Sequence, residues 1–252
     1  MFRVVISCSD GLVFGDNLRN DTILDGRIVG GEPIDITQVP YQVSVQIYGY
    51  HNCGGSILNQ LHVLTAAHCT SGLLVSIISV RVGSSTTNES GQVIEVERIT
   101  NHPDYNRLNY DYDYSVLKLK NPLQYFDSVQ AISLPSQGQQ IPDGTQLLVT
   151  GWGSTEFLGF ASDTLQGVVV PKTSMTYCRN SLGSFRITDR MFCAGYPDGV
   201  KDACQGDSGG PAVSNGVLVG VISWGDGCAS ADKSGVYALV SAVTDWIQSK
   251  MN

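Results

Sequence analysis

Three short stretches of this chain carry residue types that could do covalent chemistry together. The first is Gly206-Asp207-Ser208-Gly209-Gly210-Pro211. A serine hydroxyl is a weak nucleophile; it needs a base to take its proton and donors aimed at the oxyanion its attack creates. Glycines around Ser208 let the backbone turn so that N–H groups converge on one point, although such a stretch can also be no more than a tight turn. The second is Thr65-Ala66-Ala67-His68-Cys69, where small residues leave the ring accessible and Cys69 could pin its loop. A lone histidine is more often structural, so His68 gains meaning only from partners. The third is Asp113, which opens the apolar run Tyr114-Ser115-Val116-Leu117-Lys118-Leu119. An aspartate there is ordinarily a turn residue, but an imidazole base needs a buried carboxylate to hold its tautomer and stabilise its charged form.

The elements that must position these residues read as strands. Val43-Ser44-Val45-Gln46-Ile47 and Val93-Ile94-Glu95-Val96-Glu97-Arg98-Ile99 alternate with period two, as half-buried strands do. Leu147-Leu148-Val149, Val168-Val169-Val170 and residues 217–222 are apolar runs, predicted as strands buried on both faces. Only residues 242–251 place Val243, Trp246, Ile247 and Met251 at helical spacing, which predicts a C-terminal amphipathic helix packed on the second half. Residues 137–144 turn polar with Gly and Pro, as expected of a crossing between two halves.

Composition agrees and narrows the function. At 252 residues, 42% apolar and 15% charged, the chain is no disordered polyelectrolyte. A net charge of −8 argues against a phosphate-tracking, nucleic-acid-binding surface. No apolar run approaches the roughly 18 to 20 residues that span a bilayer, so no membrane association is expected. Twenty-eight glycines and nine prolines favour short strands and tight turns: two barrels or a sandwich, not a helical bundle. Of seven cysteines, Cys8 stands alone near the start; Cys53, Cys69, Cys178, Cys193, Cys204 and Cys228 are an even set suited to three disulfides in an oxidising compartment. Their connectivity is not fixed by the sequence, and none has zinc-site spacing, so no metal is expected. Met1 to Cys8 offers Arg3 and the brief run Val4-Val5-Ile6 before Ser9-Asp10 interrupts. That is short of the roughly 7 to 15 apolar residues of a secretory signal, so the expectation of secretion rests on the cysteines.

Taken together, these stretches resemble the chymotrypsin family of serine proteases, and its trypsin branch in particular. The resemblance runs from Ile28-Val29-Gly30-Gly31 to Trp246-Ile247 and includes Cys53-Gly54-Gly55-Ser56, Ala66-Ala67-His68-Cys69, Gly151-Trp152-Gly153 and Ser223-Trp224-Gly225. The chain order His, Asp, Ser is the one this family uses, whereas other hydrolases order the triad differently. The resemblance implies an all-β fold of two packed six-stranded antiparallel barrels with the site in the cleft between them. It makes Ser208 the nucleophile, His68 the general base and then acid, and Asp113 its orienting carboxylate. Asp111 could compete, but the apolar strand begins after Asp113, which matches the family's spacing. The N–H groups of Gly206 and Ser208 become the oxyanion hole. The implied disulfides are Cys53–Cys69, Cys178–Cys193 and Cys204–Cys228, the set of simpler, often invertebrate, members.

The same resemblance implies an activation switch and a specificity. Cleavage after Arg27 would free the α-amino group of Ile28 to pair with Asp207, an ion pair that decides whether the oxyanion loop folds. Residues 1–27 would then be a removed signal and activation segment and 28–252 the peptidase domain, with barrels at about 28–135 and 136–252. Asp202 would sit at the pocket base and pair with substrate Arg or Lys. Gly225 and Gly235 would leave the pocket walls open, Ser223 and Trp224 would border the substrate, and Cys204–Cys228 would tie the walls together. Ala203 stands where many trypsins carry serine, which predicts a stronger preference for arginine. The loop 83–91 keeps only Glu89 as an acidic residue, so calcium is not expected. Asn88-Glu89-Ser90 and Asn20-Asp21-Thr22 are glycosylation sequons. The expected protein is a secreted, monomeric zymogen without cofactor, acting on proteins and peptides with Arg or Lys and met by protein inhibitors. The alternatives are a catalytically silent homologue that only binds, which would normally have lost a triad member, and a chymotrypsin-like specificity, which would need an uncharged residue at Asp202.

Overall fold

Strands form where the sequence alternates or runs apolar, and they sort into two sheets. The computed structural model describes residues 31–153, 162–196, 206–226 and 234–251. The first half carries β1 (Glu32–Pro33), β2 (Gln42–Ile47), β3 (Tyr50–Asn59), β4 (His62–Thr65), β5 (Ile78–Val82), β6 (Gln92–Asn101) and β7 (Ser115–Leu119). The second carries β8 (Gln146–Gly151), β9 (Gln166–Pro171), α1 (Met175–Leu182), β10 (Met191–Ala194), β11 (Pro211–Ser214), β12 (Val217–Trp224), β13 (Gly235–Leu239) and α2 (Thr244–Lys250). Strands β2 to β7 close into an antiparallel barrel in the order β2-β3-β4-β7-β6-β5. The other sheet runs β1-β9-β8-β11-β12-β13-β10. It curls back on itself: just past β9, Lys172 bridges to Ala194 of β10. There the Thr173 N–H donates to the Cys193 carbonyl (2.8 Å) and the Gly195 N–H to the Pro171 carbonyl (3.0 Å). The fold is mostly β, a closed six-stranded barrel beside a curled sheet, with a helix at the C-terminus.

Burial corrects the strand readings in instructive places. In β2 the polar residues Gln42, Ser44 and Gln46 are buried with the valines, so the strand is not half-exposed. Its second face meets protein: Thr150 Oγ1 of β8 donates to Gln42 Oε1 (2.6 Å), and Gln46 Nε2 donates to the Thr87 carbonyl (2.7 Å). Val169, expected to be buried, is 45% exposed on β9. The alternation of β6 is broken by a register shift between Val96 and Arg98.

The helices also differ from expectation. Helix α1 has no amphipathic stripe long enough to see in the sequence; its buried residues are Cys178 and Leu182, one turn apart. Ser174 caps it by accepting from the Tyr177 N–H (3.1 Å), and the Cys178–Cys193 disulfide fastens it to β10. Such a cap is worth about 1 kcal/mol, enough to matter in a helix this short. Helix α2 forms as predicted and buries Ile247, but it does not pack on the second half alone. The Trp246 ring lies 4.6 Å from that of His102, which follows β6 in the first half. A single apolar cluster joins Val43, Val80 and Leu117 of the barrel to Val221, Ala238 and Ile247, so the seam between the halves is itself core.

Candidate active site

Antiparallel register brings the histidine and the aspartate together. β4 pairs with β7 so that Thr65 faces Ser115. His68 lies three residues beyond Thr65, in the one-turn helix Ala67–Cys69, and Asp113 two residues before Ser115. Both therefore emerge at the same end of one strand pair. Cys69 is bonded to Cys53 of β3, which ties this turn to the barrel wall. Tyr114, fully buried beside Asp113, reaches across the seam and donates its hydroxyl to the Leu239 carbonyl (2.7 Å). Burial pushes that phenol well above its ordinary pKa, so the proton stays on to make the bond.

The Asp113 carboxylate is out of solvent and collects three hydrogen bonds. Oδ1 accepts from the His68 backbone N–H (2.8 Å), and Oδ2 faces His68 Nδ1 at 2.7 Å. Ser223 Oγ of β12 donates to Oδ2 at 2.5 Å. An acceptor of this kind fixes the proton of a neutral imidazole on Nδ1 and leaves the Nε2 lone pair free. Ser223, expected at the substrate, thus has its hydroxyl committed to the aspartate. Asp111 is bonded elsewhere. It turns to the second half, where Arg190 forks onto it (3.1 Å from Nε, 2.5 Å from Nη2) and Thr188 Oγ1 donates at 2.8 Å.

Ser208 comes from the segment leading into β11. Its carbonyl accepts from the Gly54 N–H of β3 (2.8 Å), which couples the serine segment to the opposite barrel. The Cys69 sulfur lies 3.7 Å from both this carbonyl and His68 Nε2, so that nitrogen is on the side of the segment carrying Ser208. Gly209 has φ +80°, and a Cβ there would lie 2.2 Å from Thr65 Oγ1; no other residue fits this approach of the two halves. Asp207 is fully buried with its carboxylate against Gly151 and Gly153, and Oδ1 accepts from the Gly153 N–H (2.8 Å). A Cβ on Gly153 would stand 2.5 Å from that carboxylate, the physical reason for glycine after Trp152. Gly225 follows β12 and Gly235 opens β13; the pairing of Trp224 with Val236 sets them side by side. Arg27, Ile28, Asp202, Ala203, Cys204 and Cys228 lie outside the described residues.

One contributor left no trace in the sequence. His51 of β3 is half-buried between Ser44 Oγ (2.9 Å from Nδ1) and the carbonyl of Gly206 (3.0 Å from Nε2), with Trp152 edge-on at 5.6 Å. Burial lowers its pKa, and the Gly206 contact only partly offsets this, which favours a neutral ring that donates to the carbonyl. A histidine inside a strand has no signature of its own, and its partner lies 155 residues away. Cys53, His68 and Cys69 also converge, but both sulfurs are consumed in the disulfide, so the cluster offers no thiolate to a metal.

The Trypsin family model matches residues 28–247, nearly the whole chain. The chain belongs to the trypsin family. It is 44% identical over 225 residues to trypsin 5G1 of Aedes aegypti, covering 88% of this chain and 84% of that protein. It is 45% identical over 224 residues to a vitellin-degrading protease of Bombyx mori, covering 88% and 85%. With trypsin-2 of Salmo salar it shares 43% identity over 230 residues, 90% of this chain and 96% of that one. It is a trypsin-like serine endopeptidase, and proteins are its substrates. Two of the disulfides that the family pattern implied, Cys53–Cys69 and Cys178–Cys193, are formed. Among the described residues, no helix is long and apolar enough to cross a membrane.

Proposed function

We propose that this chain is the precursor of a secreted, monomeric endopeptidase that cuts after arginine and, less well, after lysine. Ser208 Oγ attacks the scissile carbonyl carbon while His68 Nε2 takes its proton. The Gly206 and Ser208 N–H groups receive the oxyanion. His68 then gives the proton to the leaving amine, the C–N bond breaks and an acyl-ester remains. Water, deprotonated by the same nitrogen, releases the acid and restores the serine. The observation that carries this reading is the His68–Asp113–Ser223 chain of hydrogen bonds, which orients one imidazole nitrogen for proton transfer.

Specificity and activation follow from family-matched positions. Asp202 receives the substrate cation, Gly225 and Gly235 keep the walls open, and Trp224 borders the chain. Ala203 supplies no hydroxyl to the three donors of a lysine ammonium, whereas arginine still reaches Asp202 through two parallel N–H groups, which favours arginine. Removal of residues 1–27 frees the Ile28 ammonium to pair with Asp207, leaving residues 28–252 as the working domain, with protein inhibitors competing for its cleft. The test is an arginyl chromogenic amide assayed before and after cleavage at Arg27. Activity should rise steeply on cleavage and stay low in Arg27→Gln. An intact precursor as active as the cleaved form would overturn the activation step, and no hydrolysis after cleavage would overturn the proposal itself.

A further inference from the structure

A line of ring contacts leads away from the base along the second half. Tyr110 stands edge-on to His68 at 5.6 Å, Trp224 stacks on Tyr110 at 6.5 Å, and the Arg186 guanidinium lies 4.4 Å over the Trp224 ring. Tyr110 is held there with φ +59°, a conformation rare outside glycine, so the loop that carries it is over-determined by its surroundings. Arg186 itself follows α1, its N–H bonded to the Gly183 carbonyl at 3.0 Å. The chain from α1 to β10 carries three arginines, Arg179, Arg186 and Arg190. Arg179 pairs closely with Asp189 (2.8 Å) and Arg190 with Asp111 (2.5 Å), but Arg186 reaches Asp226 only at 3.9 Å. Its side chain remains 39% exposed and that of Asp226 45%.

A guanidinium can stack with its face and still bind through its edge. Five N–H donors lie in the plane, and a carboxylate takes two of them side by side. With the face occupied by Trp224 and, among the described residues, its acidic neighbour Asp226 at long range, edge donors of Arg186 stay open. We infer that Arg186, stacked on Trp224, forms a subsite for an acidic side chain of the substrate, Glu or Asp, on the acyl side of the scissile bond. This rests on the endopeptidase reading above, in which Gly225, next to Trp224, walls the pocket for the residue before the cut. An extended peptide advances about 3.3 Å per residue, so this line of contacts spans roughly the second to fourth residues before the cut.

Matched arginyl peptide amides carrying Glu, Gln or Lys at each of those three positions read the preference on the activated enzyme. At one position kcat/KM for Glu should exceed that for Lys by about three- to tenfold, the range of an exposed ion pair gained against a like charge imposed. High salt should shrink the ratio. Arg186→Gln should bring it close to one, Arg186→Glu should invert it, Arg186→Lys should keep its direction, and Asp226→Asn should increase it. A ratio near one at all three positions, or one unchanged in Arg186→Gln, overturns the inference. A ratio on one preparation does not depend on how much of a variant is folded. An arginyl amide with nothing upstream separates the two claims: if it is not cleaved, the proposed function fails. The affinity of the activated Ser208→Ala chain for the same Glu and Lys peptides, by calorimetry with and without Arg186→Gln, still decides the subsite.

Discussion

Asp113 is the residue on which the site turns, because three donors from two halves of the molecule meet on one buried carboxylate. Each bond does a different thing: the backbone N–H fixes the turn, the imidazole fixes the tautomer, and Ser223 ties both to β12. Removing the Ser223 hydroxyl leaves the imidazole bond in place but one acceptor site less satisfied. Ser223→Ala should therefore lower kcat about tenfold, a loss of about 1–1.5 kcal/mol, with KM little changed. Steady-state kinetics check this, and a loss as large as that of Asp113→Asn would give the hydroxyl a greater role. Ser208→Ala should be far more severe. In an unrelated hydrolase with the same three side chains, losing the nucleophile costs about a millionfold in kcat. Circular dichroism of Ser208→Ala should match wild type, and full turnover by that protein would end the covalent mechanism.

Among the elements, the segment between β6 and β7 is held by a charge pair that is not part of the reaction. Asp111 anchors it to the residues before β10 through Arg190 and Thr188. Burial alone would raise the Asp111 carboxyl, but the bonds from Arg190 and Thr188 outweigh it and hold it below the ordinary 3.8. The folded state thus binds this proton more weakly than the unfolded chain. Its contribution is complete above about pH 4, and it is lost as pH falls through the lower folded value. Asp111→Asn should cost about 1–2 kcal/mol at neutral pH, since the pair is partly exposed, and the deficit should shrink as acid protonates the folded-state carboxyl. Urea unfolding of both proteins across that range checks the sign. A deficit that grows on acidification would contradict it.

At the scale of the whole molecule, the enzyme is also a substrate in its own solution. Between Gly151 and Pro171 there is no lysine or arginine, so the proposed pocket finds nothing to bind there. Arg107 is different: it sits on the outer bend between Asn106 and Asp111, next to Leu108, which is 95% exposed. Exposed loop tips are where nicking concentrates. Peptide mapping after long incubation of the active enzyme should show the cut after Arg107 early and none within 151–171. A first cut inside that stretch would contradict the specificity.

The amino-acid sequence by itself determined the class of chemistry, the all-β character, the C-terminal helix and the residues to watch. Those features are local: glycines flanking a serine, alternation along a strand, a helical spacing of four apolar residues. The tertiary structure decided what depends on partners distant in the chain. It gave Asp113 and Asp111 different neighbours, His68 for one and Arg190 for the other. It buried the polar face of β2 against β8, where alternation alone implied water. It formed α1 from a cap and a disulfide rather than from an apolar stripe. It also gave His51 and Arg186 their places, against Gly206 and over Trp224. Periodicity reports whether a side chain is shielded, but not by what. Burial within a barrel seam and pairing across it are set by contacts between segments far apart in sequence, and only the folded chain brings those together.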